Sequence, residues 1–134
     1  GGSIPFNNLQ PYLTLNYCIS LYGIFPSRND GDPFVGEIQL FPYNFAPRNY
    51  NFCDGTVLAI SSNQALFSLL GTTYGGNGIS TFQLPDLRGR VAVSSGQAPG
   101  LSFYTLGQTG GTENTTLTIS NMPIHNHTII FNAP

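Results

Sequence analysis

Charge is the scarcest property of this 134-residue chain. Only 7% of the residues are charged, the net charge is -2, and lysine is absent, so the basic residues are four arginines: Arg28, Arg48, Arg88 and Arg90. Four scattered cations cannot neutralise a phosphate backbone, which excludes a nucleic-acid-binding surface. A cytosolic enzyme usually stays soluble through Lys and Glu. We therefore expect an extracellular or assembly protein.

Long apolar runs are also missing. No uninterrupted stretch of about 18 apolar residues occurs, so the sequence predicts no segment that inserts into a membrane. Disorder is disfavoured too, because aromatic residues make up 13% of a chain with little charge. The length leaves room for one ordinary domain with a real core.

Cysteine is limited to Cys18 and Cys53. An extracellular setting would permit one disulfide between them. Two buried free thiols explain the pair equally well, because cysteine is among the most frequently buried residue types. Their long spacing fits no zinc motif.

Helical signal is confined to one place, residues 62–70. Ser61 or Ser62 can cap the first turn and Gly71 suits the other end. Four apolar side chains would form the buried stripe: Leu66, Phe67, Leu69 and Leu70.

Alternating apolar residues predict a long strand over residues 12–22. One face of this strand carries Leu13, Leu15, Tyr17, Ile19 and Leu21. Shorter strands are predicted at 36–41, 56–60, 91–93, 115–119 and 128–131. The fold class is therefore mainly β, with one short helix and long ordered loops.

Residues 29–33 contain two of the six acidic residues, one Gly and one Pro. This composition is typical of a tight surface turn. It also fits a boundary between two folding units, one formed by residues 1–29 and the other by residues 30–134.

Several phrases together resemble the phage tail-collar domain family, which also occurs in bacterial proteins called microcystin-dependent proteins. They include GEIQLF at 36–41, ALFSLLGTTYGG at 65–76, LPDLRGR at 84–90 and MPIHNH at 122–127. The resemblance covers residues 33–131 and implies a tail-collar-like fold.

The order of the segments departs from that family. A stretch like residues 11–29 closes the family's proteins, whereas here it opens the chain. Three explanations stay open: a circular permutation, a repeat unit from a tandem array, or a filament in which residues 1–29 complete a neighbouring copy. A body without its strand would expose a groove and an unpaired edge, and a strand donated by the next copy would produce a fibre.

His125 and His127 stand two residues apart, so on a strand both rings face the same side. In phage fibre proteins that resemble this family, such pairs hold a metal at a threefold axis. The resemblance therefore implies Zn or Fe here if the protein is a trimer. Ordinary strand polarity is the simpler explanation of the pair, and no other cofactor is expected.

The remaining candidates are structural or adhesive. Asp86 precedes Arg88 and Arg90, which predicts a buried or half-buried ion-pair cluster that fixes a loop. No local pattern pairs two carboxylates or a nucleophile with a base, so the sequence predicts no enzyme. Four loop tyrosines either pack the loops or stack on a cell-surface carbohydrate: Tyr43, Tyr50, Tyr74 and Tyr104.

These observations lead to one functional prediction. The chain is expected to be a structural subunit of an extracellular fibre or phage-tail-like appendage, assembled head to tail by strand complementation and carrying adhesive loops. Its main partner would then be itself, on a cell-surface appendage or a virion tail. The alternative is a trimeric receptor-binding tip of a tail fibre that recognises cell-surface glycan.

Overall fold

The computed structural model describes residues 4–7, 10–26 and 33–117, with side chains over 10–26 and 33–113. Its elements in chain order are β1 (Ile4–Asn7), β2 (Asn16–Ser20), β3 (Ile38–Phe41), β4 (Tyr50–Phe52), β5 (Val57–Ala59), α1 (Gln64–Leu70), β6 (Thr81–Gln83), β7 (Gly96–Gln97), β8 (Phe103–Tyr104) and β9 (Asn114–Leu117). Short strands joined by long loops, with a single short helix in the described ranges, confirm the predicted fold class.

The chain divides into two compact units. One unit consists of Gly1–Thr14 and Thr109–Pro134 and contains the antiparallel pair β1–β9, with Ile4 opposite Leu117. The other unit is Leu15–Gln108 and contains every other element. The boundary that the sequence predicts near residue 29 lies outside the described residues and stays a prediction.

The larger unit is organised around a three-stranded antiparallel sheet in the order β3-β2-β4. The central strand places Cys18 opposite Gln39 on one side and opposite Phe52 on the other. Bonds beyond the ladder extend the pairing, since the Ser20 amide donates to the Glu37 carbonyl at 2.9 Å. β3 and β4 are therefore held together through β2.

The central strand is shorter than the sequence predicts. It spans Asn16–Ser20 instead of residues 12–22, and Leu13 is 83% exposed. Of the five residues predicted to share a buried face, Ile19 is fully buried and Leu15 is exposed. The opposite face is buried as well, at Cys18 and Ser20. Burial of both faces depends on what packs above and below the sheet, which the alternating pattern of one strand does not reveal.

Some of the shorter predicted strands are confirmed, one is wrong, and one lies outside the described residues. Those at 36–41 and 56–60 are confirmed by β3 and β5, and β9 confirms the described part of 115–119. The prediction at 91–93 is wrong, because these residues lie in no strand and both valines are exposed. The prediction at 128–131 lies outside the described residues.

The single predicted helix is confirmed, although its first cap differs from the expected serine. Asn63 is the N-cap residue, and its side-chain amide donates to the Ala59 carbonyl at 3.0 Å instead of capping the first turn. At the other end the Gly71 amide, at a φ of 54°, donates to the Phe67 carbonyl at 2.8 Å. Of the predicted stripe, Leu66 is fully buried and Leu69 is exposed.

The core joins the three-stranded sheet, the helix and the antiparallel β5–β6 pair. Its buried members are Ile19, Val35, Cys53, Leu66, Phe82 and Leu84. The ring of Phe67 lies 5.4 Å from that of Phe82 and extends this cluster. Gly76, with a φ of 96°, approaches the Phe82 backbone so closely that any Cβ there would collide with it.

Candidate functional site

The first residues of β2 and the last residues of β3 and β4 meet at one end of the three-stranded sheet. An open cleft of about 320 Å³ lies there. Its lining comes from the start of β2 and the residue before it, from the loop after β3, from the end of β4 and the residues that follow, and from the loop after β6: Leu15, Asn16, Tyr17, Asn44, Phe52, Cys53, Asp54, Leu87 and Arg88. We call it the sheet-end cleft.

Three aromatic rings form a stack where the chain leaves β3. The Phe41 and Tyr43 ring centroids lie 5.9 Å apart with planes inclined by 24°. Tyr43 and Phe45 lie 5.2 Å apart with planes inclined by 14°. Tyr43 is 46% exposed and Phe45 is 57% exposed, so the stack presents open ring surface to solvent. We call Phe41, Tyr43 and Phe45 the aromatic row.

The aromatic row is fixed to the sheet at Phe41 and at Tyr43. The Asn16 side-chain amide donates to the Tyr43 carbonyl at 2.6 Å, which ties the loop to the first residue of β2. Tyr50 meets Phe41 edge-on, with ring centroids 5.2 Å apart. These contacts preorganise the loop, because its backbone and its rings each have a partner.

The predicted tyrosines therefore separate into two groups. Tyr43 and Tyr50 are brought together through Phe41. Tyr104 lies in β8, and Tyr74 lies half-buried beyond α1. Sequence reasoning missed Phe41 and Phe45, although the spacing 41, 43, 45 could have pointed to one shared face.

An exposed ion-pair cluster borders the cleft. The Arg88 Nε and Nη2 atoms each donate to a different Asp86 carboxylate oxygen at 2.9 Å, and Arg90 Nη1 donates to the Asp86 carbonyl at 3.0 Å. The side chains of Arg88 and Asp86 are 71% and 31% exposed, so the Asp86 carboxylate is half-buried and the Arg88 guanidinium lies at the surface. Hydrogen bonds from Arg88 lower the pKa of Asp86 to about 2.

Local bonds also hold the carboxylate that enters the cleft. Asp54 Oδ1 accepts hydrogen bonds from the backbone amide and the hydroxyl of Thr56. The Gly55 amide donates to the Pro85 carbonyl at 3.2 Å, and Asp54 pairs with Asp86 in a β-bridge. The end of β4 and the Asp86 loop are thus joined as one wall of the cleft.

The two cysteines are buried free thiols. Cys18 lies opposite Phe52, whereas the Cys53 amide donates to the Tyr17 carbonyl at 2.9 Å. In this register their side chains point to opposite faces of the sheet, which disfavours a disulfide. Burial, and then the nearby Cys18 and Asp54, raise the pKa of Cys53 to about 12, so the thiol stays protonated at neutral pH.

The predicted metal ligands His125 and His127 lie outside the described residues. Over the ranges 10–26 and 33–113, no cluster of three or more His, Cys, Asp or Glu side chains could hold a metal ion. A trimeric metal site at the two histidines stays a prediction.

Comparison with known families gives one match. Residues 36–92 match the family model of the Phage Tail Collar Domain, and this range supplies most of the lining of the sheet-end cleft and most of the buried core. No curated protein and no solved structure matches the chain.

The match indicates a structural role in a phage tail fibre and a location on a virion tail or outside the cell. Collar domains occur in oligomeric tail fibres, which is compatible with self-association, and they are not a known enzyme family. Within the described residues, no helix is both long and apolar enough to cross a membrane.

Proposed function

We propose that this chain, which carries a phage tail collar domain over residues 36–92, is a structural subunit of an extracellular fibre or phage-tail-like appendage. Its copies assemble head to tail by strand complementation, with the segment around β2 as the donated strand. The observation that supports the proposal most is the strand order β3-β2-β4. A strand from the start of the chain fills a slot between two strands of the collar domain.

Removing β2 would leave that slot open. β3 and β4 would each lose a backbone partner, and the core would lose Ile19, which is fully buried. Burying an isoleucine contributes about 1.5–3 kcal/mol, and each backbone bond adds about 1 kcal/mol. An empty slot is therefore a strong acceptor for the same strand from another copy.

In the structure, β2 pairs with strands of its own chain. If β2 paired with another copy, it would form the same hydrogen bonds and bury the same side chains. The free energy per subunit would therefore be similar in the two arrangements. The choice between the two arrangements then depends on protein concentration and on the geometry of the chain entering β2. A donated strand that passes each time to the next copy gives an open fibre.

Imaging tests this proposal. We expect negative-stain micrographs of the purified protein to show filaments whose length grows with concentration. A synthetic peptide of residues 10–26 in excess should occupy the slot and shorten the filaments. The same peptide with Ile19→Asp should have no effect, because a carboxylate cannot enter the core at that position. A protein that stays monomeric at every concentration would contradict the proposal.

Adhesion is a second candidate function, and the exposed aromatic row favours it. Open aromatic faces flanked by amides are suited to sugars, because rings stack on C–H faces and amides bond hydroxyl groups. Labelled protein should bind host cells, and periodate oxidation of the cell-surface glycans should abolish that binding. Equal binding to treated and untreated cells would contradict it.

The adhesive function has a trimeric variant, in which the chain is a receptor-binding tip with Zn or Fe held by His125 and His127. A mass of three chains together with bound metal in elemental analysis would support this form. Filaments of indefinite length without stoichiometric metal would contradict it.

A further inference from the structure

We propose that the outer edge of β3 pairs with the same edge of a second copy, antiparallel and around a twofold axis at Gln39. This contact is separate from the strand exchange proposed above, which uses the inner edge of β3. It joins two free chains or, where the chain has polymerised, two subunits of neighbouring fibres. Three observations support it: the direction of the backbone groups, the short length of the edge, and the order of its side chains.

The register fixes which backbone groups of β3 point away from the sheet. The Ser20 amide donates to the Glu37 carbonyl at 2.9 Å, and the hydrogen-bonded pairs alternate from there along β2. Gln39 therefore faces β2, whereas Ile38 and Leu40 direct their N–H and C=O groups outward. Across the described residues, these outward groups form no hydrogen bond. Such an edge is a template for another strand.

The outer edge of β4, on the other side of the sheet, differs from that of β3. By the same alternation, Tyr50 and Phe52 are the outward residues of β4. The Tyr50 amide donates to the Pro47 carbonyl at 2.9 Å, and the Phe52 amide donates to the Asn51 side-chain oxygen at 2.9 Å. An added strand would have to displace both bonds. Of the two outer edges of this sheet, that of β3 is therefore the open one.

The open edge is short and is limited at both ends. Before β3, the Glu37 amide donates to the Phe34 carbonyl at 3.1 Å, which forms a turn. After β3, the next residue in the outward series is Pro42, which has no N–H to donate. A long peptide would gain no further ladder beyond these limits. A second copy offers an edge of the same length, so the observations favour it as the occupant.

The side chains of this edge are complementary to themselves. Antiparallel pairing centred on Gln39 places Ile38 opposite Leu40 of the second copy, and symmetry repeats the pair. Each pair exchanges two backbone hydrogen bonds. Ile38 and Leu40 are both exposed and lie on the same face of the strand. The apolar side chains of both copies would therefore pack together across the axis.

Charge does not oppose this pairing. β3 contains no charged residue. The adjacent Glu37 carboxylate accepts hydrogen bonds from the Phe34 amide, at 3.1 Å, and from the Gln39 side chain. The proposed register places Glu37 opposite Phe41 of the second copy, so like charges do not face each other. Proteins often protect a free edge with lysine, a residue that this chain lacks.

Covalent trapping tests the inference, because so short an interface is expected to be weak between free chains. Residues at the centre of this pairing have Cα atoms about 4.5 Å apart, which a disulfide can bridge. We expect the oxidised full-length double variant Cys18→Ala/Gln39→Cys to give a covalent band of two chains. Longer multimers should be absent, because the variant lacks the thiol that lies opposite position 39 in the sheet. The control Cys18→Ala/Gln39→Ser should give no such band.

A charge placed on the edge should prevent the pairing. Ile38→Lys, added to the double variant, should lower the yield of the covalent dimer about tenfold, because it brings an ammonium group into the apolar contact. Val57→Lys is the matched control, since it places the same charge on an exposed apolar residue of β5. The yield with Val57→Lys should equal that of the double variant.

Absence of the two-chain band, or a yield that Ile38→Lys leaves unchanged, would overturn the inference. Circular dichroism would show that each variant is folded. Sedimentation velocity repeats the test without changing a cysteine: Ile38→Lys should associate less than the unmodified protein, and equal association would again overturn the inference. Filaments without the two-chain band overturn the edge pairing alone. A two-chain band from a chain that never polymerises overturns the fibre proposal alone.

Discussion

Two regions of the larger unit that contain apolar residues differ in how deeply those residues are buried. β2 is buried on both faces, at Cys18 and at Ile19. Residues 91–108, which we call the uncharged segment, contain no charged residue, yet Val91, Leu101 and Phe103 are exposed. β2 has a strand on each side, whereas β7 and β8 pair in the described chain only with each other. Burial therefore follows from the elements that pack on a face, as the core cluster with Leu66 and Phe82 does around Ile19, and apolar composition alone does not determine it.

The largest effect should come from the buried side of this comparison. Ile19→Ala removes fully buried volume between the sheet and the helix, so we expect the free energy of unfolding to fall by about 2–5 kcal/mol in guanidinium titrations. Leu13→Ala is the matched control from the same predicted face, and its effect should stay within about 0.5 kcal/mol. Equal losses for the two variants would show that residues 12–15 are also part of the packed strand.

A smaller effect is expected at high pH. The unfolded Cys53 thiol ionises near 9.0, whereas in the folded chain its pKa is raised to about 12. Its contribution to stability is therefore fully present below about pH 9 and is lost as the pH rises toward 12. By pH 11 we expect the unmodified protein to have lost about 2–3 kcal/mol more than Cys53→Ala. Parallel pH dependence of the two thermal unfolding curves would contradict a buried neutral thiol.

The exposed ion-pair cluster should contribute less. The pKa of Asp86 is lowered to about 2, from an ordinary value of 3.8, by hydrogen bonds from Arg88. Its contribution is present above about pH 3.8 and disappears as the pH falls through 2. Asp86→Asn should slightly flatten the acid limb of a stability profile, because solvent screens an exposed pair. A large loss of stability at pH 7 would mean that the cluster is a buried structural element.

The smallest effect should come from the uncharged segment. Phe103 is 62% exposed in the short β7–β8 hairpin, so Phe103→Ser should change the free energy of unfolding by no more than about 0.5 kcal/mol. A loss near that of Ile19→Ala would show that this hairpin is packed in solution. The uncharged segment would then be as closely packed as β2, and the contrast between the two regions would be wrong.

The sequence predicts the local elements well where a local rule applies. Helix α1 is evident because its apolar periodicity ends at Gly71, whose positive φ closes the last turn. Strand β2 is predicted in the right place but too long, because the alternation continues through Tyr12 and Leu13, whose side chains are exposed. Residues 91–93 fail for the same reason, since a strand needs a partner that the local sequence does not reveal.

The candidate site is less predictable because it depends on long-range pairing. The contact between Asn16 and the Tyr43 carbonyl joins residues 27 positions apart, and it exists only because β2 pairs with β3. The loop tyrosines were identified from composition, whereas the stacking of Tyr43 with two phenylalanines depends on how the chain leaves β3. The two cysteine side chains point to opposite faces of the sheet because of the register between β2 and β4, which the number of residues between Cys18 and Cys53 does not reveal.

A cross-link across β2 and β3 tests strand complementation most directly. Cys18 lies opposite Gln39, and opposed residues of antiparallel strands have Cα atoms about 4.5–5.5 Å apart, which a disulfide can bridge. Oxidised Gln39→Cys filaments, run on a denaturing gel without reductant, should give a ladder of covalent multimers that is absent from Gln39→Ser. Complete cross-linking that yields only monomers would place β2 in its own chain and would contradict head-to-tail strand exchange.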